Sequence, residues 1–100
     1  MQPSGEEQVR AHVAKETKAR LPAIQGCYER ELKKDASLQG RVVVRFVVEP
    51  NGHVSEFSVV EKSPGMDETA RCIQTLIRAW RLNVTPPEPT VIEYPFKFYP

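Results

Sequence analysis

The chain reads as an α+β domain of two helices, two strands, a helix and a strand. Its three strands are expected in one antiparallel sheet of order 2-1-3, with the helices packed on one face. Three observations point there. Val42, Val44, Phe46 and Val48 alternate along "RVVVRFVV", and "EPNGH" turns the chain into a second apolar run. Met66, Ala70, Ile73, Ile77 and Trp80 recur at spacings of three and four, the period of a helix with one buried face. Ile92, Tyr94, Phe96 and Phe98 alternate once more in the last segment.

Taken in order, "SGEEQVRAHVAKETKARL" places Val9, Val13 and Leu21 on a thin apolar stripe, with acids first and bases later, the order a helix dipole favours. Pro22 would remove a backbone donor from that helix but suits the first turn of a new one, so a break is expected there. "PAIQGCYERELKKD" restarts the pattern: Ile24, Cys27, Tyr28 and Leu32 share a face, with Glu29 and Lys33 as an outward pair four apart. Gly40 punctuates the end of this region. In the first strand Arg41, Val43, Arg45, Val47 and Glu49 alternate onto a wetter face.

Pro50 lacks the N–H that a two-residue Asn51-Gly52 turn would use, which favours a type I turn with a bulge and pairs Glu49 with His53. That register aims Val54 inward but Phe57 and Val59 outward, so a further bulge near Ser55 or Glu56 is expected, bending the second strand. Asp67 is the expected N-cap of the third helix, "MDETARCIQTLIRAWRL", which "NVTPPEP" stops. Pro95 removes a donor from the last strand and so places it at a sheet edge.

The topology follows from handedness. A strand, helix, strand crossover makes strands two and three parallel, and strand one, antiparallel to both, sits between them. Strand three is left with an unpaired edge that can accept another chain's strand. The expected partner-binding residues are therefore Thr90, Val91, Ile92, Glu93, Tyr94 and Phe96, the stretch before Pro95 pairing most easily. Arg78 and Arg81, with Lys97 as a looser member, form a basic cluster that is a possible secondary contact; a solvated surface is the ordinary explanation. Arg41 and Arg45 on the sheet's open face are read the same way.

Composition bounds the rest. One hundred residues allow one domain, 1–100, with a disordered tail over 1–5 and a core over 20–98. With 40% hydrophobic and 27% charged residues the chain is ordinary for a soluble domain, and no apolar run approaches the roughly 20 residues of a membrane span. A net charge of +1 favours neither nucleic acid nor an anionic surface. Met1 followed by "QPSGEE" reads as the start of an excised fragment, any anchor lying upstream.

"GRVVVRFVVEPNGHVSEFSVVEKS", a helix ending "AWRL" and an aromatic final strand together resemble the C-terminal domain of TonB-type energy transducers. "CYERELKKDASLQGRVVVRF", "CIQTLIRAWRL" and "YPFKF" are more closely similar to the AgmX/PglI-type branch at the C-termini of myxobacterial gliding-motility proteins. The likeness covers roughly residues 20 to 98. It implies a periplasmic domain at the end of an inner-membrane-anchored chain, which grips an outer-membrane or periplasmic protein segment and passes on force from a proton-driven motor. No cofactor, nucleic acid or small-molecule substrate is expected.

The compartment so implied bears on Cys27 and Cys72, which lie one on each main helix: an even pair in an exported domain suggests a disulfide, two buried thiols being the alternative. With His12 and His53 they match no zinc framework, and a Cys-His nucleophile pair lacks an orienting acid and an oxyanion loop. Trp80, Tyr94, Phe96 and Phe98 read as core, since no RNA-binding signature accompanies them. Two functions remain in view: a non-catalytic interaction module that adds a strand, and a structural domain that dimerises through its own edges. An enzyme is a distant third.

Overall fold

The structure, a computed structural model, describes residues 5–100, the side chain of Glu6 excepted. The elements run α1 (Gly5–Ala19), α2 (Leu21–Leu32), β1 (Gly40–Val48), β2 (Val54–Lys62), α3 (Asp67–Arg78) and β3 (Thr90–Phe98). The sheet has the expected order β2-β1-β3, β1 antiparallel to both neighbours. Of the tail expected over 1–5, Gly5 opens α1 and the other residues lie outside the described ones.

Val42, Val44, Phe46 and Val48 of β1 share one core with Val9 and Val13 of α1, Ile24 and Tyr28 of α2, and Ala70, Ile73 and Ile77 of α3. All three helices therefore pack on that face of the sheet. On the other face Arg41 and Arg45 are exposed as expected, but Val43 and Val47 are only 8% exposed. Strands on both sides of β1 cover them without any second layer, a shielding that alternation along one strand does not reveal.

The break between the first two helices falls at Arg20, and Pro22 is the second residue of α2, where its missing N–H costs no hydrogen bond. Lys33 caps α2 at its C-terminal end, and the ion pair here is between Glu31 and Lys34 at 3.4 Å, not the expected Glu29 with Lys33. Asp67 is the first residue of α3, not its cap, and its carboxylate lies 2.7 Å from the Lys62 ammonium. α3 ends at Arg78, two residues before the tryptophan, because Ala79 and Trp80 donate to Leu76 and Ile77 in tighter, three-residue steps. Trp80 still enters the core, edge-on to Phe46 with ring centroids 6.2 Å apart.

The hairpin is as expected: Gly52 N–H donates to the Glu49 carbonyl and Glu49 N–H to that of His53, both at 2.8 Å. Gly52 has φ 85°, and an added Cβ would fall 2.3 Å from the Leu82 carbonyl oxygen, so no other residue fits. β2 then shifts register opposite Phe46, where Glu56 takes φ 50°, and again between Val43 and Val44. The first shift is the expected bulge and brings Val54, Phe57 and Val59 against the core. The second, at Val60, was not foreseen.

Cys27 and Cys72 form a disulfide between α2 and α3, their Cα atoms 5.7 Å apart. The pairing excludes both the free-thiol reading and a thiol nucleophile.

Candidate partner-binding edge

In an antiparallel ladder, successive residues turn their N–H and C=O groups to opposite sides. Ser63 N–H donates to the Arg41 carbonyl at 2.9 Å, so the odd-numbered residues of β1 serve β2 and the even-numbered ones serve β3. Gly40, Val42, Val44, Phe46 and Val48 pair with Phe98, Phe96, Tyr94, Ile92 and Thr90. The even residues of β3 are thereby occupied. Val91, Glu93, Pro95 and Lys97 direct their backbone groups to the free edge, and the donor that Pro95 lacks is missing there, not from the ladder with β1.

Both outer strands have an edge, but they differ. β2 is broken by two bulges, devices that keep an edge from pairing with another chain, whereas β3 keeps one register with β1 over all nine pairs. Tyr28 secures its far end: the ring stacks on Phe98 at 5.0 Å and the hydroxyl donates to the Leu38 carbonyl. Burial pushes the Tyr28 pKa up, so this donor keeps its proton.

Side chains around the edge fall into two sets. Ile92, Phe96 and Phe98 are buried against the helices, with Tyr94 half-buried beside them. Val91, Glu93, Pro95 and Lys97 are exposed on the open face, Val91 at 49%. There Arg45 meets Glu93 at 3.7 Å and Arg41 meets Glu61 at 2.6 Å. Lys97 lies directly across from Arg41 and, among the described residues, has no ion pair. On the helix side, Gly5, Val9 and Arg10 of α1 flank the start of β3. Leu21 and Ile24 of α2 wall a groove of about 390 Å³ along its second half.

Of the basic residues Arg78, Arg81 and Lys97, Lys97 sits on a different element from the other two. Arg78 is exposed in the last turn of α3, and Lys97 sits on the open sheet face. Arg81 lies beyond the helix, where its guanidinium contacts His53 Nε2 at the hairpin. Sequence reasoning also missed a polar tie: Glu16 of α1 accepts from the Asn83 N–H at 2.6 Å and from Arg20 at 3.3 Å. Arg20 in turn donates to the Arg81 carbonyl at 3.3 Å and lies over the Trp80 ring. Partners more than sixty positions apart leave no local signal. His12 and His53 lie on α1 and the hairpin, and among the described residues no cluster of three His, Cys, Asp or Glu could hold a metal.

Residues 31–100 match the family described as Gram-negative bacterial TonB protein C-terminal. The chain belongs to that family. Two solved TonB C-terminal domains are similar in structure. That of Pseudomonas aeruginosa is 22% identical, over 72% of this chain and 75% of that one, with a TM-score of 0.57. That of Helicobacter pylori is 16% identical, over 98% and 95% of the two chains, with a TM-score of 0.49. A comparison with curated proteins finds no match. At 22% identity the likeness to the Pseudomonas domain concerns the fold, the α+β sheet described above. Membership of the TonB C-terminal family points to a protein-interaction domain of the cell envelope. The family match leaves out α1 and most of α2, which nonetheless supply Val9, Val13, Ile24 and Tyr28 to the core and Cys27 to the disulfide.

Proposed function

We propose that this domain is a non-catalytic, periplasmic interaction module that binds a segment of another envelope protein by adding it as a fourth strand along Thr90–Phe98. One observation carries the reading: β3 is straight and regularly paired on one side, and the backbone groups of Val91, Glu93, Pro95 and Lys97 are turned outward on the other. Strand addition takes its affinity from such main-chain groups and its specificity from alternate side-chain positions. Membership of the TonB C-terminal family supports an envelope setting in which the domain couples an inner-membrane motor, through chain upstream, to an outer-membrane partner. The resemblance of "CYER", "RCI" and "YPFKF" to the gliding-motility branch makes that machinery the proposed context.

The parity of β3 supplies the test. Val91→Pro removes a donor from the free edge only, whereas Ile92→Pro would remove one from the ladder with β1 and break the sheet. The Val91→Pro domain is expected to keep its circular dichroism and melting temperature yet recover roughly tenfold less outer-membrane protein in a pull-down, the loss of about one well-placed hydrogen bond. Unchanged recovery by a folded Val91→Pro domain would contradict the proposal. A concentration-dependent dimer by light scattering, with no partner recovered, would favour self-association instead.

A further inference from the structure

Glu93 and Lys97 are the two charged side chains on the outward positions of β3, and among the described residues only one has its charge answered. Glu93 lies 3.7 Å from Arg45. Lys97 stands directly opposite Arg41, an unfavourable juxtaposition of like charges in a sheet, and Arg41 already holds Glu61 at 2.6 Å. The two cations line a surface hollow of about 360 Å³ with Ser63 and Tyr99. Among the described residues, nothing compensates the positive charge of Lys97 on the open face of the edge's second half. On its helix face lies the groove of about 390 Å³ walled by Leu21, Ile24, Tyr94, Phe96 and Phe98.

A strand added to β3 would present alternate side chains to these two surroundings. The residue opposite Lys97 shares its face and meets that ammonium, and the residues on either side of it turn toward the aromatic groove. We infer that the segment bound here is an extended acidic one in which an aspartate or glutamate lies directly beside a large apolar residue, the acid meeting Lys97 and the apolar side chain entering the groove. The inference rests on the reading of β3 as the docking edge and names the chemistry of its occupant. Charge selects the acid, since a basic residue at that place would set a further cation against Lys97. Burial selects its neighbour, because Tyr94 is not fully buried and a large side chain in the groove completes its enclosure.

A displayed library of random nine-residue peptides, matched to the length of β3, tests this on the disulfide-bonded domain and on its Lys97→Glu variant. The wild-type domain is expected to enrich Asp or Glu beside Leu, Ile, Met or Phe. The variant, checked for an unchanged melting temperature, should enrich Lys or Arg at that place and keep the apolar neighbour. In a selected peptide, replacing the acid by Gln should weaken binding by about two- to fivefold, the scale of an exposed ion pair. Replacing the apolar neighbour by Ala should weaken it roughly tenfold. Enrichment of the same sequences on both domains, or of peptides without acids that still shift the Val91 and Glu93 amides, would overturn the inference and leave the docking edge standing. Selected peptides that shift only amides of α1 or α3 would overturn the docking edge and the inference with it, as would a failure to enrich any sequence.

Discussion

Glu16 ties α1 to the segment after Trp80 through a single side chain. Its carboxylate accepts from the Asn83 N–H and from Arg20, and these bonds, that of Asn83 foremost, hold its pKa below the usual glutamate value. A carboxyl with a depressed folded-state pKa contributes stability that is present above the unfolded value, about 4.3, and is lost as pH falls through the folded one. Acidification from about pH 6 to about pH 3 should therefore loosen the tie between α1 and the segment after Trp80 before the sheet is affected. The readout is the exchange protection of the Asn83 amide relative to the unfolded chain. It should fall over that range in the wild type and change little in Glu16→Gln, whose amide oxygen accepts at any pH. Equal pH dependence in the two proteins would show that Glu16 does not fasten α1.

Among the elements, α2 and α3 depend most on a covalent link. The disulfide joins positions 45 apart, and closing a loop of that size in the unfolded chain stabilises the folded one by roughly 3–4 kcal/mol on the chain-entropy model. Urea denaturation of the Cys27→Ala/Cys72→Ala protein should show a loss of about that size. A loss under about 1 kcal/mol would mean that helix packing alone holds the pair. The two helices were legible in the sequence because Ile24, Cys27 and Tyr28, and Ala70, Ile73 and Ile77, repeat at helical spacing and are all buried. The bulge at Glu56 was legible too, because without it Phe57 and Val59 would face water. The bulge at Val60 was not, since a valine exposed at a bulge reads no differently from one in a regular strand. The end of α3 was misread for a similar reason: Trp80 reaches the core from a tight turn as well as it would from a helix. On β3 the edge position was legible from Pro95, but its parity needed the ladder register, and the groove beside α2 needed the packing of residues some seventy positions apart.

For the whole molecule these features give one side covered by helices and one regularly paired strand with an open edge, the proposed docking site. Three helices and a disulfide cover one sheet face, and β2 closes one flank with bulges, so nine residues of β3, about 30 Å of strand, remain as a straight edge. A load applied along such a strand would be shared by the ladder with β1, whose Val42, Val44, Phe46 and Val48 are fully buried. The most direct test is residue-resolved amide hydrogen exchange of the domain with and without the outer-membrane segment recovered by pull-down. Strand addition predicts an alternating pattern on β3: the amides of Val91, Glu93 and Lys97 gain protection on binding, while those of Ile92, Tyr94 and Phe96, already paired with β1, change little. Protection gained around Arg78 and Arg81, with residues 90–98 unchanged, would contradict the account and move the binding surface to the end of α3.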